Sequence, residues 1–73
     1  MVISKFALGA NVQRQRERKG RSRYWLAKQS GVSCGTIRSL ENGRIYPRID
    51  TLICVAESLG CTVGELTEET ANG

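Results

Sequence analysis

Apolar side chains recur along this 73-residue chain at helical spacing rather than in strand-like alternation. Phe6, Leu8 and Val12 supply the apolar contacts of a first helix from about Lys5 to Lys19, whose second half, from Gln13, is almost wholly polar; Gly20 stops it. Ser22 suits an N-cap, because its hydroxyl can accept a hydrogen bond from a free backbone N–H of the following turn. Leu26 and Ala27 then form a short apolar patch, and Gly31 falls where a left-handed residue ends a helix cheaply. Val32 plugs the turn into a core, Ser33 is a second N-cap, Ile37 and Leu40 share an inward face, and Gly43 follows the last turn. The pattern predicts helices over Ser22–Ser30 and Ser33–Asn42, joined by a tight turn.

The segment from Arg44 to Arg48 reads as a loop, since Pro47 lacks a backbone donor and drives Tyr46 towards an extended conformation. A fourth helix is expected over Ile49–Leu59, with Leu52, Ile53, Ala56 and Leu59 inward and Gly60 as its stop. Thr62 and Glu65 have capping-box spacing and open a last helix through Leu66 to about Glu69. The expected fold is all-α, five helices in one domain spanning residues 1–73, with a core over about 5–69 and a frayed tail at 70–73. Two short helices around a Gly-containing turn form a helix-turn-helix, whose second helix can enter a DNA major groove. Its outward face would carry Cys34, Gly35, Arg38, Ser39 and Asn42.

Charge strengthens this reading. All 11 Lys and Arg lie within residues 1–48 beside two acids, Glu17 and Glu41. Residues 49–73 hold five acids and no base, so the two parts carry +9 and −5. A one-sided positive field attracts a polyanion, and here it coincides with the helix-turn-helix. Among the outward residues, Arg38 is the long donor in mid-helix, matched either to guanine O6/N7 or to a phosphate. Thr36, Ser39 and Asn42 can bond bases or phosphates, whereas Cys34 and Gly35 offer shape and contact with a thymine methyl. Ser22, Arg23, Ser33, Arg44 and Arg48 complete the candidate DNA contacts, with Ser22, Arg23, Asn42, Arg44 and Arg48 assigned to phosphates. Small residues at the reading face imply that phosphates carry much of the affinity and that DNA shape contributes to specificity.

Other chemistries find little support. The three cysteines, Cys34, Cys54 and Cys61, form no CxxC pair, and with no histidine a zinc site lacks its usual ligands. They read as reduced cytosolic thiols, with Cys61 in the core and Cys54 peripheral. Cys34, at a helix start beside cations, has the setting of a redox-sensing thiol; the plainer reading is a small apolar residue. No cofactor, metal or catalytic site is expected, because a lone Ser or Cys without a base is not a nucleophilic centre. No apolar run approaches the roughly 18 residues of a membrane span. The opening residues turn polar by Asn11, unlike a signal peptide, so the expected location is cytoplasmic, and nucleoid-associated when bound to DNA if the source is bacterial or phage.

The ordered set of motifs resembles the Cro/repressor-type (XRE) helix-turn-helix family. It comprises Leu8-Gly9, Val12 and Arg16; Gly20 and Ser22; Leu26-Ala27; Gly31-Val32-Ser33; Thr36-Ile37; Leu40-Glu41-Asn42-Gly43; Pro47; and Leu52, Ala56, Leu59-Gly60, Val63 and Leu66. The resemblance implies a lambda-repressor-like domain and a sequence-specific DNA-binding transcriptional regulator, a repressor or small controller protein. It also implies a structural ion pair between Arg16 and Glu41. Departures from the family pattern are Gln13, Gln15, Arg21 and Arg23, which leave the core near the first helix under-supplied. Trp25 and Tyr24 are expected to compensate, with Trp25 over the stem of Gln15 or Arg21; the other reading makes Trp25 an exposed interface anchor. One reading helix covers few base pairs, so a homodimer is expected on double-stranded DNA, its recognition helices about 34 Å apart. Ile45, Ile49, Val63 and Leu66 are its candidate contacts. No ligand-sensing domain is expected beyond the last helix. The alternative function is a partner-binding module or antitoxin of the same fold with weak or non-specific DNA binding.

Overall fold

In the computed structural model, which describes residues 3–68, five helices follow in order: α1 (Lys5–Arg18), α2 (Arg23–Ser30), α3 (Cys34–Glu41), α4 (Ile49–Leu59) and α5 (Val63–Leu66). No strand occurs among the described residues. The helix starts follow the capping residues. Ser22 accepts from the Trp25 N–H at 3.0 Å, Ser33 from Thr36 at 3.1 Å, and Thr62 from Glu65 at 3.0 Å. Glu65 returns the bond to the Thr62 N–H and completes the capping box. Ser4, which the sequence pattern did not single out, caps α1 in the same way through Ala7. Gly31 stands at φ 77° and lets the chain reverse between α2 and α3.

The core gathers one apolar stripe from every helix: Leu8 and Val12, Leu26, Ile37 and Leu40, Leu52, Val55, Ala56 and Leu59, and Leu66. α3 packs on α1 and α2, α4 covers α2, and α5 closes the gap between α1 and α4. The turn residue Val32 packs on this core from its edge.

Several positions differ from the sequence expectation. Phe6 is 73% exposed and lies against Gly43 instead of entering the core. Ile53 is 42% exposed, and Val55 is buried in its place. α4 docks along Leu52, Val55/Ala56 and Leu59, the i, i+3/i+4, i+7 stripe, which turns Ile53 about 100° away from Leu52. α1 ends at Arg18 with Lys19 as its cap, and α5 ends at Leu66 with Thr67 as its cap. Glu69 and the expected frayed tail lie outside the described residues. Tyr24 is exposed with Lys28 near its ring, so it adds nothing to the core. Trp25 does compensate: it packs against the core, with the Arg21 guanidinium 5.0 Å from its ring centre.

The polar half of α1 joins the interior through two residues. Asn11 is buried and donates from Nδ2 to the Leu66 and Glu68 carbonyls at 2.8 and 2.9 Å, satisfying backbone acceptors at the end of α5. Its Oδ1 accepts from Arg14 Nη1 at 3.0 Å. Arg16 donates from Nε to Glu41 Oε2 at 2.7 Å and from Nη2 to Oε1 at 2.9 Å. Its remaining nitrogen, Nη1, donates to the Arg21 carbonyl at 2.7 Å. The expected pair is therefore bidentate, and the Glu41 side chain has no solvent exposure. Hydrogen bonding to Glu41 raises the Arg16 pKa above its ordinary value against the opposing effect of burial.

Close approach of α1 to α3 depends on Gly9, where a Cβ would collide with the Leu40 and Glu41 carbonyl groups. Those atoms are backbone and cannot swing aside. Gly9→Ala should therefore lower the unfolding free energy by about 1–3 kcal/mol despite its better helix propensity. Gly35→Ala, with open space around the new methyl, should raise it by up to about 1 kcal/mol. Urea unfolding of the two variants checks this opposition of sign; equal shifts would contradict it.

Removing one partner of a buried ion pair costs about 3–5 kcal/mol, a large share of the stability of so small a domain. A double-mutant cycle on Arg16 and Glu41 should give a coupling energy above about 1 kcal/mol. Coupling indistinguishable from zero would mean that the bidentate geometry adds no stability.

Candidate nucleic-acid interface

The pattern that buries Ile37 and Leu40 turns the opposite side of α3 outward. Gly35 and Arg38 are exposed there, as is Asn42 just beyond the helix. Cys34, Thr36 and Ser39 are partly exposed. Ser33 and Ser22 stand exposed at the starts of α3 and α2. The Ser33 hydroxyl also donates to Thr36 Oγ1 at 2.8 Å, so these two candidate contacts form one local unit. Arg44 and Arg48 are exposed in and after the loop that leaves α3. Arg48 is the N-cap residue of α4 without a side-chain capping bond and lies 3.6 Å from Asp50, with both side chains largely in solvent. Such a pair holds Arg48 weakly and leaves it available to a stronger anion.

Arg23 occupies a different setting. Its Nε donates to Glu41 Oε1 at 2.9 Å, on the same carboxylate that Arg16 holds. Residues from α1, α2 and α3 thus meet at one buried group. The sequence assigned Arg23 to a phosphate and did not foresee this bond; the isolation of Glu41 among cations was the signal that could have revealed it. The buried Asn11 was likewise missed, because nothing in its local sequence marks it as interior.

The cysteines are free and dispersed. Cys54 is exposed on α4, and Cys61 packs against the core, where burial and the charge of Glu65 raise its pKa while Lys19 opposes them. No group of three or more acidic, cysteine or histidine side chains is placed to hold a metal ion among the described residues. No described helix is long and apolar enough to cross a membrane.

This geometry agrees with the comparisons to known proteins. A family model described as a helix-turn-helix domain matches residues 7–69. The uncharacterized HTH-type transcriptional regulator y4dJ of Sinorhizobium fredii is 38% identical over 69 residues, 90% of each chain. The clp gene regulator ClgR from Corynebacterium glutamicum has a similar structure, with a TM-score of 0.81 at 35% identity, covering 85% of this chain and 66% of ClgR. The restriction-modification controller protein C.AhdI from Aeromonas hydrophila shares the fold, with a TM-score of 0.82 at 24% identity over 85% of this chain and 94% of its own. The architecture is lambda-repressor-like, and the relatives are regulators rather than enzymes. With paired capped helices, a cationic outward surface and a family match over most of its length, the chain belongs to the helix-turn-helix family of DNA-binding transcriptional regulators.

Proposed function

We propose that this regulator binds DNA sequence-specifically as a homodimer, inserting α3 into the major groove and repressing by occupying its operator. The observation that carries the reading is the opposition on α3 of the buried Ile37 and Leu40 to the exposed Arg38, beside candidate contacts Cys34, Gly35, Thr36, Ser39 and Asn42. Arg38 supplies the fork that matches a guanine edge, and the smaller residues allow close approach to the groove floor. Ser22, Arg23, Asn42, Arg44 and Arg48 serve as phosphate ligands, setting register rather than reading bases, and Ser33 at the start of α3 is a further candidate contact.

Dimerisation doubles both readout and phosphate contact. Of the four apolar candidates, Leu66 is spent in the core, and Ile45 and Val63 pack partly against it. Ile49 is 65% exposed and shares the solvent side of α4 with Ile53, so this pair offers the apolar contact that favours self-association. The acids of the last third disfavour an approach of that side to DNA, and their mutual repulsion makes the dimer weak in the absence of an operator.

Binding measured as a function of salt tests the assignment. Arg44→Ala and Arg48→Ala should each weaken binding to most sequences and flatten the salt slope by about one. Arg38→Ala should instead relax preference at one base position, at a cost of about 1–3 kcal/mol on the preferred site. If the loop variants alter base preference while leaving the slope intact, they are not phosphate ligands.

Footprinting and sedimentation should give a two-protomer complex with half-sites one helical turn apart, about 34 Å. A one-protomer complex on an asymmetric site under about 8 base pairs would refute the dimer. Weak binding that does not distinguish one sequence from another would favour a partner-binding module or antitoxin of the same fold.

A further inference from the structure

The cluster at Glu41 holds a surplus of positive charge. One carboxylate receives two guanidinium groups, and the two cations are not equally engaged. Arg16 commits all three of its nitrogens, two to Glu41 and one to the Arg21 carbonyl. Arg23 commits Nε, and its side chain retains 34% exposure. Its Nη pair has no hydrogen-bond partner among the described residues. That pair is the edge of a guanidinium that bonds phosphate oxygens through two parallel N–H groups.

We propose that Arg23 is a positioning residue: with Nε fixed on Glu41, its Nη1 and Nη2 form a prearranged clamp for a DNA phosphodiester. Occupancy of that clamp locks α2 and α3 in the orientation needed for base reading. The inference rests on the DNA-binding reading and adds a mechanism to it. Three features support the assignment. The phosphate balances the unmatched cation. The rotamer freedom of Arg23 is lost on folding rather than on binding, which removes a cost of association. The contact also acts on a carboxylate at the last residue of α3, so a phosphate bound by α2 restrains the reading helix without touching a base.

Lysine at this position separates charge from geometry, because an ammonium keeps the cation without a planar fork. Binding is measured by fluorescence anisotropy over a salt series. The probes are a labelled duplex of about 20 base pairs carrying a sequence enriched from random DNA, and a scrambled duplex of equal length. Arg23→Lys should bind the preferred duplex about tenfold more weakly with its salt slope unchanged, and should discriminate less between the two duplexes. Arg23→Gln should show the same loss of discrimination with a slope lower by about one. Circular dichroism should report cooperative melting for both, since the Arg16–Glu41 pair remains.

If Arg23→Lys retains wild-type affinity and discrimination, Arg23 acts as charge alone and the proposal is overturned. Should that variant fail to fold, Arg23→Gln decides: retained discrimination overturns the proposal, and lost discrimination in a folded protein supports it. A wild-type protein that binds neither duplex removes the DNA-binding reading and this mechanism with it, an outcome distinct from a failure confined to Arg23.

Discussion

The Glu41 carboxylate is the constraint on which the architecture turns. An ionised carboxylate without solvent access is tolerable only when hydrogen-bonded and paired, because its uncompensated burial would cost several kcal/mol. Three N–H groups, two from Arg16 and one from Arg23, meet that demand. Since the donors arise from α1 and α2 and the acceptor from α3, satisfying one charge fixes three helices relative to one another. Apolar burial supplies the driving force for folding but is non-directional. A side-on guanidinium–carboxylate pair has a narrow geometry, and it determines how α3 is presented.

This arrangement explains how α1 can have a polar second half and still belong to the interior. Arg16 faces Glu41, while Asn11 satisfies carbonyls at the end of α5. Gly9, between Leu8 and Asn11, removes the side chain that would hold α1 and α3 apart. The same face of α1 thus combines apolar packing, close backbone approach and buried hydrogen bonds. The apparent shortage of core around this helix is resolved partly by polar residues and partly by Trp25 under the Arg21 guanidinium.

Where structure follows from local chemistry, it was legible in the sequence. Ser22, Ser33 and Thr62 mark helix starts by hydrogen bonds made within three residues, and Gly31 marks the turn by its own backbone conformation. The Arg16–Glu41 pair was legible through family resemblance, since no local pattern joins residues so far apart in the chain. Choices set by tertiary packing were not legible. Ile53 and Val55 are both apolar on one helix, and the docking direction of α4 alone selects Val55. Phe6 is large and apolar, but two residues along α1 is a rotation of about 200°, so it faces away from the side on which Leu8 enters the core. The chemical identities of the candidate reading face were apparent; the tether joining Arg23 on α2 to Glu41 on α3 was not.

The most direct test of Glu41 as the organiser of DNA reading is selection from random duplex DNA, performed in parallel with wild-type protein and a Glu41→Gln variant whose fold is verified by circular dichroism. The account predicts that wild type enriches a defined sequence, while the folded variant still binds DNA but enriches it weakly or not at all. Enrichment of the same sequence with equal discrimination by both proteins would contradict the claim that this buried carboxylate sets the orientation of the reading helix.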